Sequence, residues 1–271
     1  MSGALLCIDA GNTLVKWCVH TEPAQPFGSK NEFFSHPTSG FKPFCNSLNL
    51  IQDQLGQVLK KQDFSFEAVV LSNVLGPDFE QAVRQLCDAY QVPLHVLAVN
   101  TNTQLQSTYD NPAALGKDRW AACLALTQIS RFRVNLLVSF GTATTLDVVV
   151  KTANWQHQGG FIVPGVQTML RSLNANTAEL PQVELQIPVA GGVWPTNTQQ
   201  AIGEGVGRMQ VALVESLAQE LQTRHGELPA VWFCGGFAST MQTSLPQAFV
   251  LEHAVFKGLV FDYQLSRRGS R

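Results

Sequence analysis

Residues 5–20 read LLCIDAGNTLVKWCVH, and no other stretch constrains the fold as tightly. An apolar run ends on Asp9, a Gly11-Asn12-Thr13 turn follows, and a second β-rich run leaves from Leu14 to Val19. Two such runs joined by a Gly-Asn turn read as a hairpin. A carboxylate at the inner end of an apolar strand is costly unless a cation or hydrogen-bond donors meet it. The adjoining turn offers backbone N–H groups and the Thr13 hydroxyl to phosphate oxygens. Asp9, itself an anion, suits the Mg²⁺ that travels with a nucleotide. A plain hairpin with a solvated Asp is the competing reading.

The hairpin has an echo. A shift of 130 residues lays LLCIDAGNTLVKW over NLLVSFGTATTLD, with Gly11 falling on Gly141. Both glycines sit in a strand–turn–strand context, which points to two related halves. Strands are expected at 4–9, 14–20, 31–36, 67–72 and 94–99, with helices at 44–61 and 77–90, the second starting at a proline. Residues 100–116 are polar and read as a loop. A helix over 117–130 is followed by strands at 135–140 and 144–150 and a glycine-rich bend at 159–165. Helices at 166–174 and 197–222, a strand at 230–234, a short helix near 237–245, a strand at 248–251 and a helix from 254 complete the chain. Strands alternating with helices imply an α/β layer architecture.

Composition removes several function classes. A net charge of −2 leaves no general electrostatic footprint for nucleic acid. No run has the length and uniform apolarity of a membrane span. The cysteines at 7, 18, 45, 87, 123 and 234 are dispersed without metal-ligand spacing. They read as buried thiols of a reducing compartment, so the expected location is cytoplasmic. The six histidines show no ligand pairing. The absence of G-x-x-x-x-G-K-[ST] and G-x-S-x-G runs disfavours P-loop and α/β-hydrolase chemistry.

Four further segments have chemical potential. In Phe140-Gly141-Thr142-Ala143-Thr144-Thr145-Leu146-Asp147, a glycine turn and three threonines offer donors to phosphate, and Asp147 is a second inward carboxylate. A β-rich hairpin explains the same threonines. In Leu115-Gly116-Lys117-Asp118-Arg119-Trp120, an Asp and an Arg stand at a helix start. That Asp suits a general base for a hydroxyl, and that Arg suits bidentate binding of a carboxylate. Favourable interaction of Asp118 with the helix dipole is the alternative. Gly159–Gly165 and Phe233-Cys234-Gly235-Gly236 allow close backbone approach, the latter to a flat purine ring.

Taken in order, Asp-Ala-Gly-Asn-Thr (9–13), Gly-Lys-Asp-Arg-Trp (116–120), Gly-Thr-Ala-Thr-Thr-Leu-Asp (141–147), Gly-Gly-Phe-Ile-Val-Pro-Gly (159–165) and Thr-Ala-Glu-Leu-Pro (177–181) resemble the type III pantothenate kinases. The first element alone fits the broader actin/sugar-kinase/Hsp70 superfamily. The resemblance implies two actin-like, ribonuclease H-like α/β domains with a nucleotide cleft between them, divided here as 1–116 and 117–271. It implies ATP-dependent phosphorylation of pantothenate, the first step of coenzyme A synthesis. Asp9, Ala10, Gly11, Asn12, Thr13, Leu14, Val15 and Lys16 would form the first phosphate loop, with Asp9 near Mg²⁺. Thr142 would lie in the second loop, and Gly235 and Gly236 would line the adenosine region. Asp118 would be the base, and Tyr109, Gly116, Lys117, Arg119 and Thr177 would hold pantothenate. Thr177 would come from the neighbouring subunit of a homodimer whose substrate pocket lies at the interface. The family's usual monovalent-cation ligand, an Asp three residues before the threonine of the second loop, is replaced by Ser139, which puts a K⁺ or NH₄⁺ requirement in doubt. The rival readings are another small-molecule kinase of the superfamily and a transcription accessory factor derived from it. Neither a membrane nor a nucleic-acid partner is expected.

Overall fold

The computed structural model describes residues 3–27, 32–37, 45–60, 65–101, 104–176, 180–187 and 194–269. The first sheet begins with β1 (Ala4–Ala10), β2 (Leu14–His20) and β3 (Glu32–Pro37), all antiparallel neighbours. Helix α1 (Cys45–Lys60), strand β4 (Phe66–Asn73), helix α2 (Pro77–Ala89) and strand β5 (Leu94–Val96) follow. The strand order is β3-β2-β1-β4-β5, with β4 parallel to β1 and β5 parallel to β4. Beyond it come β6 (Leu105–Ser107), a 3₁₀ turn at Pro112–Ala114 and helix α3 (Lys117–Ile129).

The second sheet repeats the plan. Strands β7 (Val134–Phe140), β8 (Ala143–Lys151) and β9 (Trp155–Pro164) form an antiparallel meander. Helices α4 (Val166–Ala175) and α5 (Thr198–His225), strand β10 (Ala230–Gly235), helix α6 (Ala238–Gln242), strand β11 (Phe249–Val250) and helix α7 (Ala254–Gly269) follow. The order β11-β10-β7-β8-β9-β6 is the first sheet's order with one added edge strand. The echo between Gly11 and Gly141 is therefore structural: each glycine closes the first hairpin of its sheet.

The chain divides into two compact units. One holds 1–106, 110–128 and 254–271, and the other holds 107–109 and 129–253. The sequence-based expectation divides the chain at 116/117, whereas α3 and α7 here group with the first sheet. On β1, the alternate residues Ala4, Leu6, Ile8 and Ala10 join Leu55 and Val58 of α1 and Phe79 and Val83 of α2 in one core. Helix α7 packs against β1 and β4. It is anchored by His95 Nε2, 2.8 Å from Asp262 Oδ2, and by Arg267 on Glu67. Gly258 of α7 lies so close to α3 that a Cβ there would sit 1.9 Å from the Ala121 carbonyl oxygen.

The second unit has its own core, built from Val134, Leu136, Val138 and Phe140 of β7 with Val214, Leu217 and Leu221 of α5 and Phe233 of β10. Helix α5 starts where the Asn197 side chain accepts the Gln200 N–H (3.0 Å) and ends at Gly226 with φ 76°. It outlasts the expected 197–222 by three residues, since Arg224 and His225 in the last turn complement the helix dipole.

Other elements depart from expectation. The glycine-rich segment 159–165 is mainly strand, not bend. Gly159 takes φ 102° where the β8–β9 register shifts between Asp147 and Val149, and a Cβ on Gly160 would meet the Leu146 carbonyl oxygen at 1.9 Å. These glycines permit close strand packing around a bulge. The loop over 100–116 contains β6 and the 3₁₀ turn, the latter nucleated by Asn111 Oδ1 accepting the Ala113 N–H (3.1 Å). Among the described residues no helix is long and apolar enough to cross a membrane.

Candidate active site

In the first unit, the β1–β2 hairpin places the candidate metal ligand. The turn is closed by Gly11 N–H donating to the Leu14 carbonyl (3.0 Å), and Asn12 and Thr13 are exposed. Ala10 and Val15 pair across the hairpin with both side chains in the core, so only their backbones are available to a ligand. Asp9 pairs with Lys16 on β2 and with Ser72 on β4, which sets the three side chains on one face of the sheet. Asp9 is 8% exposed, whereas Lys16 reaches solvent. Burial pushes the Asp9 carboxyl up to about 7, the Lys16 ammonium pulls it down, and the charge of Asp118 pushes it up further.

That coupling brings two sequence-predicted carboxylates into one electrostatic neighbourhood. Asp118 stands in the first turn of α3, half-buried, with its Oδ1 accepting the Arg119 N–H at 2.9 Å. Gly116 makes this fold-back possible, because a Cβ there would lie 2.7 Å from the same Oδ1. Lys117 is half-buried and Arg119 is buried. From Arg119 through Thr127 every residue of α3 is buried, so the helix start is held on a rigid rod.

The donor set around Asp9 fits Mg²⁺. It consists of hard oxygen atoms, and the fully buried Ser72 hydroxyl beside Asp9 has no hydrogen-bond partner among the described residues. Two mutually repelling carboxyls, one with a raised pKa, gain most from a divalent cation.

In the second unit, the Gly141–Thr142 turn joins β7 to β8 and is exposed. Gly165 N–H and Thr168 Oγ1 both donate to the Thr142 carbonyl, at 3.0 and 2.7 Å. A Cβ on Gly165 would be 2.2 Å from the Gly141 carbonyl oxygen, so this glycine lets α4 start against the turn. Gly235 has φ 88° and lies against Phe140, and both Gly235 and Gly236 are exposed. Ser139 pairs with Thr145 on β8, whose hydroxyl has no hydrogen-bond partner among the described residues, and with Cys234 on β10.

Asp147 is an inward carboxylate, as expected, but it is engaged by the buried His157, whose Nε2 lies 2.7 Å from its Oδ1. Tyr109 is half-buried with its ring against His157. Sequence reasoning set His157 aside because it has no His, Cys or acidic partner at motif spacing. Its partner arrives through the β8–β9 register, which no local pattern announces. Ser72 was missed for the same reason. Thr177 lies outside the described residues.

Duplicated β-meander sheets, each opened by a glycine-turn hairpin, define an actin-like α/β fold. Similarity to known proteins narrows this. A profile of the type III pantothenate kinase family matches residues 5–220. A type III pantothenate kinase of Paracidovorax citrulli is 29% identical, covering 94% of this chain and 96% of that protein. Another, of Chlorobium luteolum, is 30% identical, covering 98% and 96%. Among solved structures, a protein titled a Baf family transcriptional activator from Campylobacter jejuni aligns with TM-score 0.57 at 18% identity, covering 98% of each chain. A protein titled a sugar kinase, from Cytophaga hutchinsonii, aligns with TM-score 0.51 at 13% identity, covering 97% and 100%. At these identities the structural likenesses speak for the fold. The chain belongs to the type III pantothenate kinase family.

Proposed function

We propose that this chain transfers the γ-phosphoryl group of ATP to the primary hydroxyl of pantothenate, giving 4′-phosphopantothenate and opening coenzyme A synthesis. The observation that carries the reading is the family match over residues 5–220, together with Asp118 in the first turn of the buried helix α3. Phosphoryl transfer asks little covalent work of a protein; it needs positioning, charge neutralisation and a proton acceptor.

Asp118 is the acceptor. The Arg119 N–H orients its carboxylate, and the substrate hydroxyl proton passes to it as the phosphoryl group arrives. Arg119, Lys117 and Gly116 hold the pantothenate end, the guanidinium meeting the carboxylate, with Tyr109 and Thr177 as further contacts. The Gly11–Thr13 turn, Lys16 and Thr142 bind ATP phosphates through backbone N–H groups, hydroxyls and the ammonium. Asp9 would hold Mg²⁺, which supplies charge neutralisation on the phosphates when bound. Gly235 and Gly236 serve the adenosine.

The working form is a homodimer. The second unit exposes Phe161, Ile162, Met209 and, at 80%, Trp194. A groove of about 690 Å³ runs along α4 and α5, lined by Leu173, Leu180, Ile202, Val206 and Met209 among others. A second copy of the chain would cover this apolar surface. The location is the cytoplasm, in keeping with buried thiols at Cys7, Cys18, Cys87, Cys123 and Cys234.

A panel of hydroxylated acids and sugars, assayed for ATP-dependent phosphorylation, tests the substrate. Pantothenate should exceed every other acceptor in kcat/KM. Preference for a sugar would favour a different kinase of the superfamily. DNA binding without pantothenate-dependent ATP turnover would favour a transcription factor.

A further inference from the structure

Asp147, His157 and Ser107 form a hydrogen-bonded chain in the second unit that the transfer step does not employ. His157 is completely enclosed, at 0% exposure, and Asp147 nearly so, at 1%. Both ring nitrogens are engaged: Nε2 lies 2.7 Å from Asp147 Oδ1 and Nδ1 lies 3.1 Å from Ser107 Oγ. A carboxylate only accepts, so Nε2 carries the hydrogen, and in the neutral ring Nδ1 accepts from the Ser107 hydroxyl. Ser107 Oγ in turn accepts the Tyr109 N–H at 3.3 Å. The donors thus run one way, from Tyr109 to Ser107 to His157 to Asp147.

The backbone of His157 reinforces the link. Its carbonyl oxygen accepts the Thr108 N–H at 3.0 Å and the Thr108 hydroxyl at 3.3 Å. The Tyr109 ring centroid stands 5.5 Å from that of the imidazole, tilted by 46°. All three residues from Ser107 to Tyr109 are therefore tied to one residue of β9. The trio has the residue types of a hydrolytic triad, but Ser107 uses its oxygen to accept the Tyr109 N–H, and the two ring nitrogens serve the opposite partners.

We propose that His157 is a positioning residue for pantothenate, holding Tyr109 in its substrate-contacting orientation through Ser107, through the Thr108 backbone and by ring contact, with Asp147 fixing the tautomer. This rests on the reading of Tyr109 as a pantothenate contact. A side chain ordered before binding spares the complex the cost of ordering it, so loss of the support should weaken pantothenate binding without slowing the transfer itself.

The test uses the full chain with Ser107→Ala, His157→Phe, Tyr109→Ala and the Ser107→Ala/Tyr109→Ala double variant. Steady-state kinetics are measured against pantothenate and against ATP, and pantothenate affinity by calorimetry. Ser107→Ala and His157→Phe should each raise the KM for pantothenate about three- to tenfold, with kcat and the KM for ATP within about twofold. In the Tyr109→Ala background, Ser107→Ala should add nothing. If His157→Phe does not fold, Ser107→Ala still decides, because it leaves the Asp147–His157 pair in place. A raised pantothenate KM in Tyr109→Ala with none in Ser107→Ala overturns the positioning role. So does an equal effect of Ser107→Ala in both backgrounds. An unchanged pantothenate KM in Tyr109→Ala overturns the assignment of Tyr109 itself, and the role of His157 with it.

Discussion

Asp9 is kept in a setting that opposes its own ionisation. Its carboxyl, pushed up to about 7 by burial, stays protonated in the folded chain over a range where the unfolded chain has already lost the proton. Between about pH 4 and 7 the folded state binds more protons, so this residue's contribution to stability falls as pH rises and is fully lost above about 7. Three pKa units correspond to about 4 kcal/mol as an upper bound. Asp9→Asn should therefore be more stable than the parent at pH 8, by a few kcal/mol at most, with the gain vanishing toward pH 4. Urea midpoints at both pH values, without Mg²⁺, would show it; an equal shift at both would refute the burial argument. The same variant should lose Mg²⁺-dependent turnover, since the strain that Asn relieves is the strain the cation would relieve. The role proposed for Asp118 is the complementary one, the base. Asp118→Asn should fold normally, judged by circular dichroism, and lose two to four orders of magnitude in kcat, roughly the range for a general base. A folded variant with near-normal kcat would remove Asp118 from that role.

The elements that periodicity and turn chemistry specify were legible in the sequence. The β1–β2 hairpin follows from Gly11-Asn12 between apolar runs, α2 from Pro77 at its start, and the β7–β8 hairpin from its likeness to the first. What escaped depends on partners distant in sequence. β9 reads as a bend because glycines are turn residues, yet Gly159 and Gly160 serve a bulge against β8. The return of α7 to the first sheet is not legible locally, because its contacts through Gly258 and Asp262 are with remote elements. The carboxylates at 9 and 118 stand out as candidates in the sequence because each lies one residue inside the end of an element. The Asp147–His157 pair does not, because register alone makes it. One prediction belongs at this scale. At the mouth of the β7–β8 hairpin, Ser139 and Thr145 present neutral oxygens, and a neutral dipole attracts K⁺ less than a carboxylate does. Activation by K⁺ or NH₄⁺ should be absent or require high concentration, and Ser139→Asp should sharpen it. Turnover across a K⁺ series at constant ionic strength decides; strong saturable activation of the parent at low K⁺ would contradict it.

Across the whole molecule, a duplicated α/β unit supplies two glycine turns, and a carboxylate pair in the first unit supplies the proposed metal and base positions. If the homodimer completes the pantothenate pocket, dilution through its dissociation range should lower specific activity, and a fully active monomer in sedimentation would exclude the shared pocket. The central claim, that these parts phosphorylate pantothenate, is met most directly by ADP release in a coupled assay with MgATP, pantothenate present or absent. The account predicts steady ADP formation that requires pantothenate, one ADP per 4′-phosphopantothenate, and its collapse in Asp118→Asn. ADP release at the same rate without pantothenate, or none with it, would contradict the account.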